Sequence, residues 1–181
     1  MSTPIIPEPG LLIISILSAR WDRCWPELLG KLEAEFGVAD DISEEFCFDQ
    51  TGYYDAELGT PISRRLVAFE ILRPMDELAD IKLFTNGLEA EYGQAGQRLF
   101  NLDPGFISLN SLVLATGKKF SHRIYLTKGI WADLTLVWHK KQWVDFPWTF
   151  PDYAGDDMKS RLTKLRQSYK NKLNNPHTSN R

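Results

Sequence analysis

The segment Gly117-Lys-Lys-Phe-Ser-His-Arg-Ile-Tyr125 places two lysines, a histidine and an arginine at the entrance of a strand-like run. Such a cluster brings anion-binding and acid–base capacity to one end of a sheet. If Lys128-Gly129 is a two-residue hairpin loop, Ile124 faces Asp133 and His122 faces Thr135 on the following strand. His122, Asp133 and Thr135 then share a face, with His122 and Asp133 diagonal to one another. A carboxylate beside an imidazole fixes its tautomer, as a general acid or base needs, so His122 and Asp133 are the candidate catalytic pair. The plainer reading is a structural His–Asp contact on a solvated strand face.

Other candidates lie in loops and on element rims. Asp103 precedes Pro104-Gly105, where a short strand (Leu99 to Leu102) is expected to end in a turn. It suits a divalent metal such as Mg2+ shared with a substrate phosphate, although Asp also favours turns through its own backbone hydrogen bonds. The loop from Gln50 to Pro61 carries Tyr53, Tyr54, Asp55 and Glu57, and loops hold function on rigid scaffolds. Arg65 falls by period two on the apolar face of Val67, Phe69 and Ile71, where it needs an acidic partner or the sheet's rim. Glu57 is the natural partner. Lys82 sits beside the apolar stripe of a helix and can snorkel to solvent.

Several chemistries are excluded. Thr116-Gly-Lys-Lys has the wrong residue after the lysine for a phosphate-binding P-loop, and Leu112 stands where the first glycine belongs. No Gly-x-Gly-x-x-Gly or Gly-x-Ser-x-Gly occurs. His122, His139 and His177 are too widely spaced for a usual zinc site, and Cys24 and Cys47 form no Cys-x-x-Cys pair. Reduced thiols, and hence a cytoplasmic protein, are expected. A net charge of -3 offers no global basic field, which argues against nucleic acid. The longest apolar run, Leu11 to Leu17, is too short for a membrane span, which needs roughly 20 residues.

These residues need a scaffold, and 181 residues with 43% hydrophobic content suffice for one core. Leu11 to Leu17 reads as a strand covered on both faces. Asp22 to about Phe36 reads as a helix with Pro26 tolerated early and Gly37 as its stop. Ile42 to Phe48 and Arg64 to Leu72 read as strands, and Pro74-Asp76 opens a helix through Tyr92. After the strand at Leu99 come the hairpin of Ser121–Leu126 with Trp131–Trp138, an edge from Trp143, and a basic amphipathic helix over 156–173. The order predicts an α+β fold with a ferredoxin-like βαββαβ core, an added β-hairpin and a C-terminal helix, on a mostly antiparallel sheet. One globular domain over 1–175 and a disordered tail over 176–181 are expected.

Between the last strand and the last helix runs Asp145-Phe-Pro-Trp-Thr-Phe-Pro-Asp-Tyr153. Its two prolines rule out a helix or a central strand and push Phe146 and Phe150 toward extended geometry. This crossing is expected to be pinned on the domain, with Asp152 as its chemical contributor.

Tyr53-Tyr-Asp-Ala-Glu-Leu-Gly, Ala79-Asp-Ile-Lys-Leu-Phe-Thr-Asn, Asn101-Leu-Asp-Pro-Gly, Leu114-Ala-Thr-Gly-Lys, His122-Arg-Ile-Tyr-Leu and Pro147-Trp-Thr-Phe-Pro-Asp-Tyr together carry a resemblance. The chain resembles an uncharacterised bacterial and archaeal family, a domain of unknown function whose members are sometimes labelled "GTP-binding protein". Phe150 stands where that family commonly has a tyrosine, and Asp133 where it has a glutamate. No phosphate loop in the sequence supports the GTP label. The resemblance implies that recurring polar positions coincide with Tyr54, Glu57, Lys82, Asp103, Lys118, His122, Arg123 and Asp152.

The resulting expectation is a phosphorylated small molecule or nucleotide, with a divalent metal. Lys118 and Arg123 hold the anion, Asp103 and Glu57 the metal, His122 moves a proton, and Tyr54 and Trp148 stack on a ring. Glu57, Asp103, Lys118, His122 and Arg123 should then converge on one cleft. The alternative is a non-catalytic adaptor that docks another protein on the aromatic-proline crossing.

Overall fold

The run Leu11-Leu-Ile-Ile-Ser-Ile-Leu lacks polar alternation, so a strand made from it must be covered on both faces. In the computed structural model, which describes residues 2–93 and 97–175, it forms β1 (Leu11–Ser18), with all eight residues buried. There follow α1 (Trp21–Cys24), α2 (Glu27–Phe36), β2 (Ala39–Ile42), β3 (Phe46–Cys47), α3 (Asp55–Leu58) and β4 (Ser63–Phe69). Then come α4 (Leu78–Glu91), β5 (Asn101–Ile107), β6 (Ser111–Thr116), β7 (Arg123–Thr127) and β8 (Ile130–His139). The chain ends with β9 (Gln142–Asp145), α5 (Pro151–Ala154) and α6 (Asp156–Asn174). The tail over 176–181, with His177, lies outside the described residues. Among the described residues no helix is long and apolar enough to cross a membrane.

The strands make one sheet in the order β2-β4-β1-β5-β6-β8-β7, with β3 on β4 and β9 on β8. All the strand pairings are antiparallel. The fold is therefore α+β, as expected, and β4 lies between β1 and β2. On one face, Leu12, Ile14, Val67, Phe69 and Leu102 pack under Leu28, Leu32 and Phe36 of α2 and Leu78, Ile81 and Leu88 of α4. On the other, Leu11, Ile13, Leu66 and Ile107 meet Met158, Leu162, Leu165 and Tyr169 of α6. Each fully buried Leu or Ile contributes about 1.5–3 kcal/mol, so both layers anchor the sheet. Farther along β1, Ser15 lies opposite Asp103, and Leu17 opposite Arg64 and Asn101. None of these residues belongs to the core under α6.

Several local expectations change. The helix from Asp22 is divided at Pro26: Trp25 is extended at φ −96° and ψ 132°, as the residue before a proline prefers. Gly37 does end α2, at φ 88°. The strand over Ile42–Phe48 is two short edge segments, β2 and β3. The third change matters most. The strand at Leu102 does not turn at Asp103-Pro104-Gly105 but runs through it to Ile107.

That strand is paired with β6 only over Gly105–Ile107. Ser108 N–H donates to the Ser111 carbonyl across this hairpin, so by period two residues 102, 104 and 106 also turn their backbone toward β6. Pro104 has no N–H to offer there, and the ladder stops. Gly105 is needed for β6 to approach at all: a Cβ on it would lie 2.6 Å from the Val113 carbonyl oxygen and 2.6 Å from Leu114 Cδ2. Beyond Gly105 the two strands part as a fork.

The hairpin of β7 and β8 turns at Lys128 (φ 53°) and Gly129 (φ 80°), the two positive values a two-residue primed turn requires. Its register differs from expectation by one. A bulge between Tyr125 and Thr127 sets Arg123, not Ile124, opposite Asp133, and Ile124 opposite Ala132.

Candidate functional site

Where α6 leaves the sheet face and β5 parts from β6 there is a cleft of about 750 Å³. Leu17, Arg64, Asn101, Asp103 and Leu114 reach it from four neighbouring strands. Lys82, Asn86 and Glu89 enter from α4, and Tyr53 and Tyr54 from the loop before α3. Gly117 and Lys118 come from the loop after β6, and Phe150 to Tyr153 from the crossing and α5. A cleft of this size falls within the usual range of small-molecule sites.

Among the described residues five cationic side chains line it, Arg64, Lys82, Arg98, Lys118 and Arg123, against four carboxylates, Glu89, Asp103, Asp133 and Asp152. Most are already matched. Lys82 Nζ donates to the Leu102 carbonyl at 2.6 Å and to Asp103 Oδ1 at 3.3 Å, while Asn101 Nδ2 donates to Asp103 Oδ2 at 2.6 Å. Glu89 accepts from the Leu102 N–H at 2.6 Å and from Arg98 at 2.6 Å. Arg98 also donates to both oxygens of Glu57, at 2.5 and 2.7 Å, and to Asn101 at 2.9 Å. The Arg98 hydrogen bond holds the Glu57 carboxyl below its usual range. Burial opposes the Arg98 charge, but Glu57 and Glu89 outweigh it and raise its pKa further. Tyr54 is pushed up by burial, with Asp103 adding to the effect, so its phenol is neutral at ordinary pH.

At the crossing, Arg64 pairs with Asp152, both largely buried. The Arg64 guanidinium lies 4.9 Å from the Phe48 ring centroid and 5.0 Å from that of Tyr153. Tyr153 is 3% exposed, and its hydroxyl and Ser15 Oγ are both buried near one another without a well-formed hydrogen bond among the described residues. Thr149 Oγ1 donates to the Thr135 carbonyl at 2.7 Å and Trp148 Nε1 to the Leu134 carbonyl at 3.0 Å. The crossing is thus tied to β8.

On the opposite wall, Arg123 Nε donates to Asp133 Oδ2 at 2.8 Å and its Nη1 to the Lys118 carbonyl at 2.8 Å. His122 Nε2 lies 3.3 Å from the same Asp133 oxygen. Its ring is stacked on Trp148 with an interplanar angle of 11°, and Trp148 is stacked on Phe146 at 8°. Lys118 Nζ donates to the Tyr53 hydroxyl at 2.8 Å and sits over that ring. Among the described residues it has no carboxylate within ion-pair distance.

Tyr54, Lys82, Asp103, Lys118, Arg123, Asp133 and Asp152 all line the cleft. Glu57 reaches it through Arg98, whereas His122 and Trp148 stand behind Arg123 and Asp133. Arg65 is elsewhere. It lies on the face expected, but Glu45 and not Glu57 is its partner, at 2.8 Å, and its guanidinium packs on Trp21 and Trp25. The two carboxylates expected to share a metal are both engaged, Glu57 by Arg98 and Asp103 by Lys82 and Asn101. Among the described residues no group of three His, Cys, Asp or Glu side chains is placed to hold a metal ion. As folded, this donor set does not fit one.

Arg64, Glu89, Arg98 and Asn101 were not singled out in the sequence. Arg64 had a signal: on a strand buried on both faces, the residue beside Arg65 also needs a partner. Arg98 had none, since nothing in its local pattern announces partners 41 and 9 residues away.

No curated protein and no solved structure matches the chain. The model of one family, described as a domain of unknown function (DUF4416), matches residues 8–169. That stretch runs from the approach to β1 into the last turns of α6 and includes every residue of the cleft. The chain belongs to the DUF4416 family.

Proposed function

We propose that the cleft binds a small phosphorylated molecule, a nucleotide or a phosphate ester of similar size. The observation that carries this reading is Lys118: it lines a cleft with five cationic side chains and has no carboxylate partner among the described residues. Lys118 and Arg123 hold the anion. Asp133 fixes the Arg123 guanidinium, and His122, clamped on Trp148, acts through Asp133 as a positioning residue. Asp103, whose side chain is 29% exposed, accepts a hydroxyl or amine of the ligand, and Tyr54 walls the site.

The test is a thermal-shift screen of nucleotides and phosphorylated metabolites. A ligand that binds the folded state raises the midpoint by mass action. The shift should be abolished in Lys118→Ala, a substitution at an exposed side chain that should move the unliganded midpoint little. No shift with any phosphorylated compound overturns the reading. The adaptor reading would then gain, because Phe150 is 53% and Trp148 38% exposed on the crossing. The burial of Tyr153 and the hydrogen bonds from the crossing to β8 weigh against it.

A further inference from the structure

From the charge balance of the cleft we infer that its ligand carries a single phosphate and a planar ring, and that nucleoside monophosphates bind in preference to triphosphates. This rests on the phosphate reading above and narrows it. Among the described residues, five cations face four carboxylates in the cleft, four of those cations are paired with them through direct contacts, and Arg98 also binds a fifth carboxylate, Glu57, just outside the lining. Lys118 is then the cation left without a carboxylate in contact among the described residues, and Arg123 beside it turns its Nη1 to the Lys118 carbonyl. That is enough for a phosphomonoester at the mouth.

A triphosphate brings roughly twice the charge of a monoester, and it would be set among carboxylates that repel it. Triphosphate sites answer this with a glycine-rich nest of backbone N–H groups or with a magnesium ion on free carboxylates. Neither is available here. The loop after β6 has one glycine, Gly117, and the carboxylates of the cleft are held by cations or amides. The mouth does offer a ring surface. Phe150 lines it while remaining 53% exposed, so the ring can take a planar base by stacking.

Isothermal titration with the mono- and triphosphates of adenosine and guanosine, each with EDTA and then with magnesium, tests the inference. At least one monophosphate should bind tenfold or more tightly than its triphosphate, with no gain from magnesium. Phe150→Ala should weaken that monophosphate at least fivefold while leaving inorganic phosphate unchanged. A triphosphate that binds as tightly as its monophosphate, or only with magnesium, overturns the inference and leaves the phosphate reading standing. If sugar phosphates bind and no nucleotide does, the ring requirement is overturned on its own. If no phosphorylated compound binds, both fall together.

Discussion

Lys82 and Glu89 stand two turns apart on α4 and close the same peptide unit of β5 from opposite signs of charge. Lys82 donates to the Leu102 carbonyl at 2.6 Å, and Glu89 accepts from the Leu102 N–H at 2.6 Å. Leu102 faces the side where β6 would run if Pro104 allowed the ladder to continue. The two side chains therefore replace one rung of a sheet with one donor and one acceptor. Without them an open strand edge would lie buried, and an unpaired buried amide or carbonyl is costly.

The first prediction follows from that pairing. Lys82→Met keeps the stem but leaves the Leu102 carbonyl without its partner and Asp103 without its cation. It should cost about 1–3 kcal/mol in urea denaturation. A loss under roughly 0.5 kcal/mol, the ordinary range for a surface substitution, would mean that the fork does not depend on Lys82.

The buried pair of Arg64 and Asp152 joins β4 to α5, with side-chain exposures of 3% and 12%. Removing one partner of such a pair strands the other charge, which typically costs about 3–5 kcal/mol. Asp152→Asn should therefore destabilise the protein by an amount in that range. The double variant Arg64→Met, Asp152→Asn should recover part of the loss, because no charge is then left buried alone. If the double variant is worse than the sum of the single ones, the pair is not the unit that matters.

How much of this was legible beforehand depended on whether the signal was local. The continuous apolar run of β1 and the helical spacing of Met158, Leu162, Leu165 and Tyr169 reported their environments directly, because burial repeats with the period of the element. Asp103-Pro104-Gly105 misled because Pro-Gly marks turns in most contexts. Here the proline interrupts a ladder and the glycine admits a neighbouring strand, and both facts depend on β6. The pairing of Arg123 with Asp133 was missed by one residue, since a bulge at Leu126 has no compositional mark. Glu57 was paired with the wrong arginine for a similar reason. Charge says that a partner is needed, and only the tertiary fold says which one.

Glu57 gives a prediction in pH. Arg98 hydrogen-bonds the carboxylate and lowers its pKa from the ordinary 4.5. The folded state thus binds fewer protons than the unfolded state in the acid range, and stability falls as pH drops. The contribution is present above the ordinary value and is lost as pH falls through the lower, folded one. The stability gap between wild type and Glu57→Gln, followed by urea denaturation from about pH 6 to about pH 3, should shrink steadily. A gap independent of pH would show that the Arg98 contact does not discriminate the charged from the neutral carboxyl.

Tyr153 gives a prediction that runs against its burial. Its ring packs against the Arg64 guanidinium, but its hydroxyl is buried beside Ser15 without a well-formed hydrogen bond among the described residues. A buried hydroxyl with no well-formed bond loses hydration and gains little in return, so its removal should not hurt. Tyr153→Phe keeps the ring and should leave stability at neutral pH within about 0.5 kcal/mol of wild type or raise it. Burial also lifts the phenol above its ordinary pKa of 10.0. The unfolded chain therefore ionises first as pH rises past 10.0, and wild type loses stability there through Tyr153 and likewise through Tyr54, Tyr92 and Tyr169. Tyr153→Phe removes one of these contributions, so its denaturation midpoint should fall less steeply in that range. A loss above roughly 1 kcal/mol at neutral pH would instead assign the hydroxyl a partner, with Ser15 or an ordered water at the cleft floor as the group to look for.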